Sequence, residues 1–177
     1  MKKILFSLVI MLTMVLSANA QVYVGGSLNM HANKNAYNLA VSPEVGYSFQ
    51  GNTGVGCVFD FAYEKDGDFG FGVNPYFEYR FMEIDKFTLY LHTYLHYNNM
   101  GTYDDLNAFI PGNNYGVSVH PGVIWNATDH WSAAFYVGGI EYMWNQPKGT
   151  AFKDGTGDFN LGFETSMPFA VALYYSF

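Results

Sequence analysis

From residue 21 onward, large apolar side chains alternate with small or polar ones, the period-two signature of strands whose two faces meet different surroundings. Between positions 37 and 49, Tyr37, Leu39, Val41, Pro43, Val45, Tyr47 and Phe49 fall on one face, while Asn38, Ala40, Ser42, Glu44, Gly46 and Ser48 fall on the other. The alternation returns at 54–64, 69–81, 87–98 and 115–125, and residues 22–31, 131–144 and 159–177 complete eight candidate strands. In the seventh, Gly138-Gly139 breaks the parity and points to a bulge. Tight links at 50–53, 82–86 and 126–130 alternate with longer polar connections, of which 99–114 and 145–158 are the longest. Short turns at one end and longer loops at the other predict an all-β fold, an eight-stranded antiparallel up-and-down transmembrane β-barrel.

The volume available decides which face meets lipid. A soluble barrel would turn the apolar faces inward, but eight strands enclose a space only just wide enough for side chains to fill. These faces carry too many Phe, Tyr, Leu, Val and Trp for that space, whereas the Gly, Ala and Ser positions fit it. Burying each large side chain in hydrocarbon is worth roughly 1.5–3 kcal/mol, and closure pairs the backbone groups that lipid would orphan. Aromatic residues gather toward both strand ends as membrane girdles do. Tyr47, Phe49, Tyr79, Phe81, Phe87, Trp125, Trp131, Tyr175 and Phe177 are expected near the short turns, with Tyr37, Tyr63, Phe69, Tyr97, Tyr115 and Phe159 near the long loops. Strand prolines cannot donate to a ladder, so lost bonds or bulges are expected beside Pro43, Pro75, Pro121 and Pro168.

Composition narrows the function. The 177 residues are 50% hydrophobic and 19% aromatic, with only 13% charged, which suits one strand-rich domain. The net charge of −7 and the absence of a basic run exclude nucleic acid as a partner. Lys2 and Lys3, the apolar run 4–16 and Ser17-Ala18-Asn19-Ala20 read as a secretory signal peptide cleaved after residue 20. Its removal leaves 157 of 177 residues and, with two lysines gone, takes the charge from −7 to −9. Residues 21–177 then form the barrel domain, and Cys57, the one cysteine, has no disulfide partner within the chain.

The terminal stretch Phe169-Ala170-Val171-Ala172-Leu173-Tyr174-Tyr175-Ser176-Phe177 is similar to the last strand of small outer-membrane β-barrel proteins. That resemblance implies recognition by the barrel-assembly machinery. More narrowly, Ser42-Pro43-Glu44-Val45-Gly46-Tyr47, Asn74-Pro75-Tyr76-Phe77-Glu78-Tyr79-Arg80-Phe81 and His120-Pro121-Gly122-Val123 resemble the "outer membrane protein beta-barrel domain" family common in Bacteroidetes. In that family descending strands often open on a Pro and close on an aromatic. The resemblance implies a monomeric integral barrel, surrounded by outer-membrane lipid, in a Gram-negative envelope.

The inward face carries the candidate chemistry. Glu44, Asp60, Tyr76, Glu78, Arg80, Tyr90, His92 and His120 are expected to form a polar network in the lumen, joined by Glu64, Tyr94, His96 and Glu164. Glu44, Glu78 and Arg80 read as a partly buried ion network that specifies packing. Hairpin register sets His92 opposite His120, a pair able to share a metal, but spacing supplies no third ligand, so a hydrogen-bonded plug with no metal or cofactor is expected. Ser118 beside His120 raises a hydrolase or acyltransferase acting on lipid A, although neighbours two apart on a strand lie about 6–7 Å apart, beyond hydrogen-bond reach. Asp66-Gly67-Asp68 and Asp154-Gly155-Thr156-Gly157-Asp158 carry calcium-type oxygens but read as turn chemistry. Tyr103, Leu106, Phe109 and Ile110 put an apolar group into loop 99–114. The function expected is a non-catalytic envelope barrel with surface-exposed loops; the alternatives are a loop-mediated binding or adhesion protein and a lipid A-modifying enzyme.

Overall fold

The computed structural model describes residues 21–32, 37–49, 51–64, 69–99, 102–103, 109–110, 112–136, 138–162 and 171–177. The expected signal peptide, Glu164, Pro168, Asp66 and Asp68 lie outside them, as do the side chains of Tyr37, Tyr63 and Glu64 and those of residues 100–111. The strands are β1 (Gln21–Ala32), β2 (Tyr37–Ser48), β3 (Thr53–Glu64), β4 (Phe69–Ile84), β5 (Phe87–Asn98), β6 (Thr102–Tyr103), β7 (Phe109–Ile110), β8 (Gly112–Asn126), β9 (Trp131–Tyr136), β10 (Gly139–Pro147), β11 (Thr156–Gly162) and β12 (Val171–Ser176). β1 to β5 and β8 are successive staves, each antiparallel to the next. β9 and β10 both lie along β8 and form the seventh stave. The eighth is made of β11, paired with β10, and β12, paired with β9; β12 also pairs with β1 and closes an eight-stranded antiparallel barrel. β6 and β7 form a separate small hairpin within the long connection.

The expected eighth strand is therefore two segments. Gly139 faces Gly162 while Phe135 faces Val171, so four steps along the seventh stave match nine along the eighth. The bulge foreseen at Gly138-Gly139 is present: Val119 faces Ile140 and Gly122 faces Tyr136, three steps against four, with Gly138 at φ 61°. An unforeseen bulge lies at Phe81, since Arg80 pairs with Tyr90 but Met82 with Leu89. The link expected at 82–86 shortens to a two-residue turn, Asp85-Lys86, between paired Ile84 and Phe87. Asp85 takes φ 51°, the left-handed conformation such turns need.

Each described internal strand proline interrupts a ladder on one side only. Pro43 falls in the gap between the Val41–Phe61 and Glu44–Val58 pairs, and Pro75 between Val73–Tyr97 and Tyr76–Tyr94. Pro121 sits where β8 passes from β10 to β9, opposite the Gly138 bulge. The missing N–H thus removes one rung without breaking the cylinder.

Large apolar side chains cover the outside. Val45, Val55, Phe77, Leu95, Val117 and Leu173 are exposed in the isolated chain, while Glu44, Tyr76, Glu78, Tyr90, His92 and Ser118 are buried within it. Hydrocarbon is the medium that suits such a surface. The aromatics near the short turns touch one another: Tyr47 with Phe49 (ring centroids 5.0 Å), Trp131 with Tyr175 (5.2 Å) and Tyr175 with Phe177 (5.1 Å). Tyr79, Phe81, Phe87 and Trp125 are exposed in the same band. At the other end Tyr97 packs on Tyr115 (5.4 Å), and Tyr115 on Phe152 (5.6 Å).

Candidate functional site: the lumen

Glycine opposite tyrosine builds the interior. Tyr23 pairs across strands with Gly46, Tyr76 with Gly56, Tyr90 with Gly122 and Tyr174 with Gly25. In each pair the ring lies over the glycine so closely that an added Cβ would sit 2.1–2.5 Å from ring carbons. Small residues on the inward face are therefore the seats on which neighbouring rings lie flat across a narrow lumen.

Two ring hydroxyls converge on one carboxylate, while the buried Tyr90 hydroxyl has no hydrogen-bond partner among the described residues. Tyr76 donates to Glu44 Oε1, and Tyr23 donates in turn to the Tyr76 oxygen at 2.7 Å. From the other side Tyr174 donates to Glu44 Oε2 at 2.9 Å, Tyr136 to Tyr174 at 3.1 Å and Tyr94 to Tyr136 at 3.4 Å. The Tyr94 hydroxyl also lies 2.8 Å from His92 Nδ1. His92 Nε2 lies 2.8 Å from Glu78 Oε2, and Glu78 Oε1 accepts from Arg80 Nε at 2.8 Å and Nη2 at 2.7 Å. Tyr76 stacks on His92 at 4.4 Å, and Tyr90 lies 4.4 Å from the same ring. Tyr90 is 0% exposed, and Glu78 and His92 are 2% each, so the section is filled.

The expected grouping of Glu44 with Arg80 is corrected. Glu44 is held by two phenols, while Arg80 pairs with Glu78 because both project from β4 two residues apart. Arg80, Glu83, Asp85 and Asp129 edge a cavity of about 290 Å³ at the short-turn end, and Tyr90 and His92 line it too. Tyr23, Tyr136 and Tyr174 belong to the network but were expected in neither the lumen nor the girdles.

A second cluster lies toward the long-loop end. Asn74 Nδ2 donates to Asp60 Oδ2, Asn74 Oδ1 lies 2.9 Å from His96 Nδ1, and His96 Nε2 lies 2.7 Å from Ser118 Oγ. Ser118 is thus bonded to His96 across the β5–β8 pair and not to its strand neighbour His120. His120 does face His92 in register, but its Nδ1 is 2.9 Å from the Gly138 carbonyl. The two histidines have separate partners. His120 instead groups with His96 and Glu141, each bringing one ligand atom within 4.8 Å of the others. Asp158, one of the calcium-type carboxylates, accepts from Asn145 Nδ2 at 2.6 Å.

No family model and no curated protein matches the chain. Among solved structures, it is similar to Neisserial surface protein A (NspA), with 12% identity and a TM-score of 0.52 over 90% of this chain and 98% of that one. The outer membrane protein Ail of Yersinia pestis overlaps 90% of this chain and 100% of its own at 11% identity and a TM-score of 0.43. A structure from the de novo design of transmembrane β-barrels overlaps 89% and 94% at 11% identity and a TM-score of 0.35. The NspA likeness is one of fold; with the closed register, the apolar exterior and the polar, filled interior, this chain is an eight-stranded outer-membrane β-barrel, at home in the outer membrane.

Proposed function

We propose that the protein is a small non-catalytic integral barrel that contributes to envelope structure and presents its longer loops for surface interactions. The filled lumen carries this reading: a hydrogen-bonded chain from Tyr23 and His92 to Glu44 leaves no continuous water path through a section this narrow. The barrel reaches the membrane as a processed export product, monomeric and surrounded by outer-membrane lipid, and the assembly machinery reads its C-terminal strand. The Pro-opened, aromatic-closed motifs support membership of the Bacteroidetes outer-membrane barrel-domain family. A deletion strain should show altered envelope integrity, read as detergent and antibiotic sensitivity, with lipid A mass spectra unchanged. Purified protein in planar bilayers should give no stepwise conductance; stable single-channel steps would overturn the reading.

One observation favours the enzyme alternative. Ser118, His96, Asn74 and Asp60 make a nucleophile, base and orienting chain of the kind acyl-transfer enzymes use. Against it, Ser118 is 1% exposed and points into the lumen, away from acyl chains. A changed lipid A acyl pattern in the deletion strain, restored by wild type but not by Ser118→Ala, would establish catalysis in place of the structural role.

A further inference from the structure

We propose that His96, His120 and Glu141 form a site for a divalent transition-metal ion of the zinc class, at the long-loop half of the lumen. Each offers one ligand atom within 4.8 Å of the other two, and all three are half-buried. They come from three adjacent staves: β5, β8 and β10. Two imidazoles and one carboxylate are a donor set zinc takes, leaving a fourth position for water.

The hydrogen bonds around the histidines prepare them for an ion. Asn74 gives its amide N–H to the Asp60 carboxylate, which can only accept, so its carbonyl oxygen must face His96 Nδ1. His96 therefore carries its proton on Nδ1. His120 Nδ1 faces the Gly138 carbonyl, again a pure acceptor, so it too is protonated there. Both rings keep their lone pair on Nε2, and both have the outer-shell N–H to oxygen bond that orients histidine ligands in metal sites. At present the Ser118 hydroxyl donates to His96 Nε2 at 2.7 Å; an ion competes for that lone pair.

The bulge supplies the third ligand. On β9, even-numbered Ala134 and Tyr136 face inward. The extra residue around Gly138 reverses the parity and pairs Glu141 with inward Ser118. Gly139 leaves space for the His120 ring, since a Cβ there would stand 2.5 Å from His120 Nδ1. To bind zinc at about 2.0–2.2 Å in tetrahedral geometry, the ligand atoms close from within 4.8 Å to roughly 3.3 Å, which side-chain rotation provides.

The test uses the refolded barrel in detergent micelles, with Co²⁺ as the spectroscopic stand-in for Zn²⁺. Wild type should bind one ion per chain, with visible bands of tetrahedral Co²⁺ that Zn²⁺ abolishes. His96→Asn, His120→Asn and Glu141→Gln should each weaken binding tenfold or more, with folding checked by heat-modifiable gel mobility. Ser118→Ala should bind as tightly as wild type or more so, and His130→Asn, at the opposite end, should bind unchanged. Failure of folded wild type to bind saturably would overturn the proposal without recourse to any variant. Binding that survives all three ligand substitutions would do the same, because the ion would then lie elsewhere.

Discussion

Gly56→Ala tests whether glycine seats organise the lumen. The new methyl would stand 2.3 Å from both Cζ and the hydroxyl oxygen of Tyr76, well inside the ~3.5–4.0 Å at which carbon atoms rest. Tyr76 has little room to yield: its face stacks on His92 at 4.4 Å and its hydroxyl links Tyr23 to Glu44. Overpacking of this kind costs about 1–3 kcal/mol, and a buried carboxylate that loses a donor costs about 1–3 kcal/mol more. Restricting the unfolded chain by replacing Gly offsets only about 0.4–1 kcal/mol. The net expectation is a destabilisation of roughly 1–5 kcal/mol, measured by urea unfolding in phospholipid vesicles with tryptophan fluorescence and gel mobility as coincident probes. Because the clash requires the ring, Gly56→Ala introduced into Tyr76→Ala should be near neutral, giving a coupling energy above about 1.5 kcal/mol. A neutral single variant, or an equal loss in both backgrounds, would refute the reasoning.

Three other outcomes follow from the same geometry. Glu78→Ala leaves Arg80 and His92 without their carboxylate and should destabilise the barrel by about 3–5 kcal/mol; Arg80→Ala should cost less, since that side chain is 21% exposed. The ordering is read from urea midpoints, and a reversal would contradict it. Gly138→Ala places an L side chain at φ 61° and should cost about 1–2 kcal/mol in the same assay; no loss would mean that the bulge relaxes. Replacing residues 100–111 with a short turn should leave folding and heat-modifiable migration unchanged, because β5 and β8 pair continuously from Phe87–Trp125 to Asn98–Asn114 without it. Failure to fold would show that the connection is structural.

Strand parity made the exterior legible from sequence, and with it the inward positions of Glu44, Tyr76, Glu78 and His92. Hairpin register also set His92 across from His120. The tyrosines Tyr23, Tyr136 and Tyr174 are harder to place, because the strands that carry them, 22–31, 131–144 and 159–177, are read only as ranges with no facing assigned to these positions. The overlooked signal was the cross-strand partner. Continuing the β1–β2 register from Gln21–Ser48 puts Tyr23 on Gly46, and a ring opposite an inward glycine has space inside. Tyr174 on Gly25 depends on the closing pair of the barrel, which joins the two ends of the chain and leaves no local trace. Glu141 escaped for another reason. One inserted residue near Gly138 reverses every facing downstream of it, and parity counted from Trp131 turns Glu141 toward lipid.

The two lumen clusters meet at Tyr94, which makes the proposed ion site thermodynamically visible to the whole barrel. The Tyr94 hydroxyl takes part in the chain to Glu44, while its ring stacks on His96 at 5.5 Å and meets His120 edge-on at 5.8 Å. An ion drawing those two imidazoles together fixes them against this ring and ties β5, β8 and β10 at one height. Since the ligands assemble only in the folded state, binding must stabilise it by RT ln(1 + [L]/Kd), about 2.7 kcal/mol at an ion concentration of 100 Kd. Zinc should therefore raise the urea midpoint of wild type but leave that of Glu141→Gln nearly unmoved. Equal shifts in both would mean that the ion stabilises through the surface acids, and the three-stave site would lose its thermodynamic support.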